Sequence, residues 1–183
     1  MRSVAFWWIA GACVVLAMSA VAAATTLRAS FGDGTYRVGK DIRPGTYRSH
    51  GGEGCYWARL KNFSGSLGAI LANENATGPT LVTILRRDKG FESQGCGNWT
   101  RNLHRITKSK ARFGAGKYIV KTDIAPGTYR SRGGGGCYWA RLRAFTGTLG
   151  AIIANDNPSG STIVTIKPRD RGFESSGCGI WRR

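Results

Sequence analysis

The stretch Thr80-Leu81-Val82-Thr83-Ile84-Leu85 decides the fold, because it returns later in the chain as Thr162-Ile163-Val164-Thr165-Ile166-Lys167. β-branched residues crowd both versions, as a pleated and half-buried strand prefers. Val82 and Ile84 stay apolar as Val164 and Ile166, whereas Leu85 becomes Lys167. Side chains two apart share a strand face, so the first pair points to a core and position 85 points to water. Working outward, a shift of 82 residues, which carries Cys55 to Cys137, lays residues 31–101 on residues 113–183 without a gap. Every aromatic residue of the first copy has a counterpart in the second. The chain is a duplicated module, and its function is to be stated per module.

Elsewhere in each copy, β-branched and aromatic residues fall in short runs between glycine-rich turns, and nothing sustains a helical period. In the first copy the runs predict strands over 35–38, 46–49, 55–60, 69–72, 80–85 and 91–93. Arg43-Pro44-Gly45-Thr46 and Ala125-Pro126-Gly127-Thr128 fit a turn in which proline fixes φ and glycine takes a positive φ. The expected fold is all-β, with two tandem homologous small sandwich or barrel-like modules. One sandwich built by both copies together is the alternative the sequence leaves open.

The flanking segments place the modules. Residues 1–24 read as a secretory signal peptide, since an uncharged apolar run follows Arg2 and ends in Ala20-Val21-Ala22 and Ala22-Ala23-Ala24. An uncleaved anchor is the rival, and it is the only membrane contact the sequence suggests. Cys13 sits inside that run, which leaves Cys55, Cys96, Cys137 and Cys178 for an oxidising compartment. A module duplicated whole carries its own bridge, so Cys55 with Cys96 and Cys137 with Cys178 are the expected pairs. Each bridge closes a loop of about 40 residues, worth up to about 4 kcal/mol in the chain-entropy model, which matters to so small a unit. No C-x-x-C pair and no neighbouring histidine supports a metal, and no cofactor motif appears. Residues 102–112, with Arg105, Lys108, Lys110 and Arg112 and no acidic residue, read as a basic, solvated linker.

Val38-Gly39-Lys40-Asp41-Ile42-Arg43-Pro44-Gly45-Thr46-Tyr47 resembles the V-G-x-D-I-x-P-G-x-Y signature of β modules in secreted proteins of Gram-positive, chiefly actinobacterial, species. Cys55 to Leu60 (C-Y-W-A-R-L), Ile70 to Asn73 (I-x-A-N) and Gly90 to Trp99 are similar to the actinobacterial form. The resemblance covers both copies and implies secretion and an all-β module, with no activity attached. The second copy departs at Lys121, where the signature has glycine, which puts that turn in doubt.

Catalytic chemistry finds little footing. His50 becomes Arg132 in the second copy and His104 lies between the copies, so a duplicated histidine-based site is excluded. Asp88 and Glu92 recur as Asp170 and Glu174, and paired carboxylates are what a glycan hydrolase needs. The reading preferred here is a turn aspartate capping backbone amides and a glutamate paired with Arg87 or Arg59.

Charge and aromatics point instead to binding. The chain holds 27 Lys and Arg against 10 Asp and Glu, a net charge of +17, which draws a secreted protein to anionic polymers. Many basic positions differ between copies, Arg132, Lys167 and Arg182 among them, which favours diffuse attraction over a fixed pocket. The candidate ligand-binding residues are therefore rings beside arginine: Trp57 with Arg59, Trp99 with Arg101, Trp139 with Arg141, and Trp181 with Arg183. Adjacent Tyr56 and Trp57 point to opposite strand faces, so at most one of them enters a given core. The expected function is a secreted, non-enzymatic, cell-envelope-associated tandem module for an anionic cell-wall polymer or glycan, with nonspecific polyanion attraction and no specific nucleic acid. A glycan hydrolase and a structural or inhibitory protein-contact module are the alternatives.

Overall fold

The computed structural model describes residues 27–183, so the leader read at residues 1–24, Cys13 included, lies outside the described residues. The first copy forms β1 (Ser30–Phe31), β2 (Gly34–Arg37), β3 (Gly45–Ser49), β4 (Cys55–Leu60), β5 (Ile70–Ala76), β6 (Thr80–Ile84), β7 (Gly90–Gln94) and β8 (Trp99–Thr100). The second repeats them as β9 (Arg112–Phe113), β10 (Gly116–Ile119), β11 (Gly127–Ser131), β12 (Tyr138–Leu142), β13 (Ile152–Asp156), β14 (Thr162–Ile166), β15 (Gly172–Ser176) and β16 (Trp181–Arg182). Each copy builds two antiparallel sheets, ordered β1-β8-β3-β6 and β2-β7-β4-β5 in the first and β9-β16-β11-β14 and β10-β15-β12-β13 in the second. The fold is thus all-β with two tandem modules, and the shared sandwich is excluded. The strand expected at 69–72 is longer than its apolar run. It opens on a single 3-10 turn at Leu67–Ala69 and continues through Asn73, Glu74 and Asn75, because β4 pairs with it along its whole length.

The core of each module is the aromatic set packed between its sheets. In the first, Phe31, Tyr47, Trp57, Phe91 and Trp99 are almost fully buried; Phe91 meets Trp99 edge-on at 5.4 Å and lies stacked on Trp57 at 6.3 Å. Phe113, Tyr129, Trp139, Phe173 and Trp181 repeat the arrangement. Such rings supply most of the buried area a small module can reach. Their polar tips are answered locally: the Tyr47 hydroxyl donates to the Arg43 carbonyl at 2.7 Å and Tyr129 to Ala125 at 2.7 Å, which fastens the Pro-Gly turn to the core. Val82 and Ile84, with Val164 and Ile166, face inward as the alternation requires. One disulfide braces each module, Cys55–Cys96 and Cys137–Cys178.

The turn at Lys121 keeps its shape despite the missing glycine. Lys121 adopts φ 72°, close to the 81° of Gly39, and its N–H donates to the Ile124 carbonyl at 2.7 Å as Gly39 N–H does to Ile42 at 2.8 Å. A lysine there carries the left-handed conformation that costs an L-residue about 1–2 kcal/mol.

The two modules meet along a seam of unlike faces. From the first module, edge strand β6 presents Leu81; from the second, the outer face of the β10-containing sheet presents Leu142, Phe145 and Ala140, with Leu103 of the connecting segment closing over them. Backbone groups cross the seam: Lys117 N–H donates to the Pro79 carbonyl at 2.6 Å and Thr83 N–H to the Phe145 carbonyl at 2.7 Å. Arg48 bonds Asp123 at 2.5 Å, and Lys117 reaches Glu74 at 2.5 Å and Glu174 at 3.4 Å. Residues 102–112 keep their basic side chains exposed, and the connector is also anchored at a few points. Arg48 donates to the His104 carbonyl, Ile106 N–H donates to Asp123 at 3.1 Å, and Arg112 belongs to β9. A buried guanidinium and a buried carboxylate need these partners, so the connector is drawn down onto them.

Candidate ligand-binding surface

The tryptophans read as stacking platforms are inside. Trp57, Trp99 and Trp181 are fully buried and Trp139 is 9% exposed. Alternation along β4 and β12 turns the indole inward and the neighbouring tyrosine outward. Ring nitrogens confirm the interior placement: Trp99 donates to Ser93 Oγ at 2.8 Å and Trp181 to Ser175 Oγ at 2.7 Å. Arg59 and Arg141 follow their tryptophans inward two residues on, each held by two hydrogen bonds to a carboxylate, Asp88 and Asp170 respectively. Of the eight residues expected to bind ligand, only Arg101 and Arg183 are exposed. Each lies across a turn glycine, Gly45 or Gly127, so close that a Cβ there would meet the guanidinium, and Arg101 sits 5.9 Å from the Tyr47 ring. A ring-and-arginine platform is therefore absent among the described residues.

The carboxylates expected of a hydrolase are likewise occupied. Asp88 is buried and accepts from Arg59 and from the Leu85 N–H at 2.7 Å, and Asp170 accepts from Arg141 and the Lys167 N–H at 2.7 Å. Burial works against ionisation of Asp170, but the bonds from Arg141 and Lys167 outweigh it and lower its pKa. The turn-capping part of the reading holds, whereas Arg59, expected to pair with the glutamate, pairs with Asp88 instead. The glutamates differ from expectation, because neither pairs with Arg87 or Arg59. Glu174 lies beside Lys117 in the seam, where burial raises its pKa against the opposing pull of the lysine. Lys117 is itself buried, yet Glu74 and Glu174 hold its pKa above the ordinary lysine value. Glu92 lines an open groove beside Phe63, Tyr56 and Ile70 and forms no ion pair among the described residues.

The surface that the fold does assemble is basic and lies on the second module. In the β9-β16-β11-β14 sheet, Arg182 stands directly opposite Arg112 on one side and Arg130 on the other, and Arg130 stands opposite Ile163. Inward residues of the same strands, Phe113, Trp181 and Tyr129, are buried, so the three arginines share the outer face. Directly opposed side chains have Cβ atoms about 4.5–5.5 Å apart, and like charges so placed destabilise a sheet. No ion pair relieves them among the described residues. Arg130 and Arg182 line a groove of about 680 Å³ with Arg132, Ile180 and Ser161. In the first module the same row reads Leu81, Arg48, Thr100 and Ser30; there Leu81 and Arg48 are covered by the second module and the connector. Basic positions that drift between copies, Arg132 and Arg182, thus converge in one place. Sequence reasoning missed this row because its members come together only through strand register; the signal it held was arginine in the second copy where the first has His50, Thr100 and Ser30.

The model of the Rv1352-like extracellular domain matches this chain twice, over residues 28–100 and 110–182. The uncharacterized protein Rv1352 of Mycobacterium tuberculosis is 30% identical over 84 residues, spanning 38% of this chain and 68% of that relative. The uncharacterized protein Mb1387 of Mycobacterium bovis is similar to the same extent. No solved structure matches the chain. The two matched stretches open just before β1 and β9 and close in β8 and β16, one complete pair of sheets each. The chain therefore belongs to the Rv1352-like extracellular domain family and carries that domain twice.

Proposed function

We propose that this chain is a secreted, non-enzymatic binding module that attaches to an anionic polymer or acidic glycan of the cell envelope through the arginine face of its second module. The observation that carries the reading is the row Arg112, Arg182, Arg130, set side by side on adjacent strands with no carboxylate paired to it among the described residues. An anionic ligand removes the repulsion the fold otherwise bears, and arginine's planar fork suits phosphate and carboxylate oxygens. Export supports the reading, since the family is extracellular, and a net charge of +17 strengthens approach to anionic surfaces. The hydrolase alternative loses its residues, because Asp88 and Asp170 serve as buried acceptors for Arg59 and Arg141.

Co-sedimentation with isolated cell walls at low salt tests the proposal. The intact protein is expected to pellet, R112Q/R130Q/R182Q to remain in solution, and R86Q/R87Q/K89Q, which removes equal charge from an exposed turn of the first module, to pellet like the parent. Failure of the parent to pellet overturns the reading. Equal loss in both variants reduces it to diffuse charge.

A further inference from the structure

The seam joins one face to a different face, so no two-fold axis closes it, and each module is left holding the face that the other one uses. On the first module the unused face centres on Phe63. Its counterpart Phe145 is 7% exposed in the seam, whereas Phe63 is 52% exposed at the rim of a groove of about 440 Å³ shared with Tyr56, Leu60, Ile70 and Glu92. On the second module the unused face is edge strand β14. Its Ile163 is 59% exposed, while the counterpart Leu81 on β6 is fully buried in the seam.

We infer that a second copy of this chain fills the groove, its β14 lying against β2 and Phe63 as β6 lies against β10 and Phe145, so that molecules associate head to tail. Two of the side-chain contacts of the seam have counterparts on the two free faces. Arg130 and Asp41, the latter already held by Arg37, stand where Arg48 and Asp123 pair, and Arg141 stands where Arg59 donates to the Thr146 carbonyl at 2.5 Å. The chief change lies on β2, where Thr35 and Arg37 replace Lys117 and Ile119. These positions are two apart and share a strand face. The face keeps one cation, shifted by two residues, and gives up one apolar contact. The contact between molecules is therefore weaker than the seam itself, whose halves are also tethered at an effective concentration of order mM. The inference shares Arg130 with the arginine-face proposal, but its test alters no arginine, so the two can fail separately.

Sedimentation velocity of the full chain over a concentration series tests it, at ionic strength near 0.15 M, where the Debye length of about 8 Å screens repulsion between the cationic molecules. The average mass of the parent is expected to rise with concentration. Phe63→Ser and Ile163→Asp each remove one face at an exposed site, and an unchanged thermal transition verifies their folding. Each variant alone is expected to stay monomeric, and an equimolar mixture of the two is expected to form dimers and nothing longer. A parent that is monomeric throughout, a single variant that still self-associates, or a mixture that gives no dimer each overturns the inference.

Discussion

Arg48 of the first module donates to Asp123 of the second at 2.5 Å, while their counterparts Arg130 and Asp41 make no such bond, Asp41 being held by Arg37 and Arg130 facing solvent. Asp123 is fully buried and also accepts from the Ile106 and Ile119 N–H groups at 3.1 and 2.8 Å. Removing one partner of a buried pair strands the other charge, at a cost of about 3–5 kcal/mol. Asp123→Asn is therefore expected to destabilise the protein by several kcal/mol in urea unfolding, and Asp41→Asn, at an exposed pair, by far less.

Gly147 and Gly65 are equivalent turn glycines in different surroundings. Both hold a positive φ, 71° and 73°, but a Cβ on Gly147 would come 2.7 Å from the Trp57 ring across the seam, whereas nothing lies within 4 Å of one on Gly65. Each Gly→Ala change bears the left-handed cost of about 1–2 kcal/mol. Gly147→Ala adds an overpacking cost of about 1–3 kcal/mol, so its melting temperature is expected to fall clearly below that of Gly65→Ala.

Lys121 is the one non-glycine residue with positive φ among the described residues. Lys121→Gly is expected to relieve that strain, with a net gain of about 1 kcal/mol after the greater freedom glycine has in the unfolded chain. Calorimetry should show a melting temperature higher by about 2–4 °C.

Acid should weaken the fold. Hydrogen bonds from the Arg37 side chain and N–H lower the pKa of Asp41 from 3.8 to about 2. In Asp33, burial opposes ionisation but is outweighed by bonds from Ser93 and the Gly97 and Cys96 N–H groups, and Asp170 is lowered in the same manner. A carboxylate with a depressed folded pKa contributes stability that is present above its unfolded pKa and lost as pH falls through the folded one. Glu174 is raised by burial and acts in the opposite sense, but it stands alone against three. Thermal melts are expected to drop between about pH 4 and pH 2, with a shallower drop in Asp41→Asn.

At an anionic surface a basic side chain contributes about 1 kcal/mol, roughly a fivefold change in affinity. Single Arg→Gln changes at Arg112, Arg130 and Arg182 are each expected to weaken wall binding by about that factor, measured as the bound fraction against wall concentration. Raising salt should release the parent steeply, as screening shortens the reach of the exposed charges.

The all-β class, the two modules and both disulfides were legible because repetition tests each of them: what one copy does with its cysteines and inward valines the other must also do. The placement of Trp57 and Arg59 was harder. Alternation says that they share a face, but that the face is interior depends on Asp88, which is distant in sequence and comes to Arg59 only through the fold. The seam left a trace that reads clearly once its geometry is known, since Ile119 answers Arg37 and Lys117 answers Thr35 where one copy is covered and the other open. The arginine row left less, because three residues from separate strands become neighbours only by register.

Trp57 lies under Gly147 and 5.7 Å from the Lys117 ammonium, and its ring nitrogen, like that of Trp139, is buried without an acceptor among the described residues. The molecule thereby carries an optical gauge of its own seam. Parting the modules would wet the Trp57 indole and shift its emission to the red, while Trp139, with no module laid over it, would report nothing and serve as the internal reference.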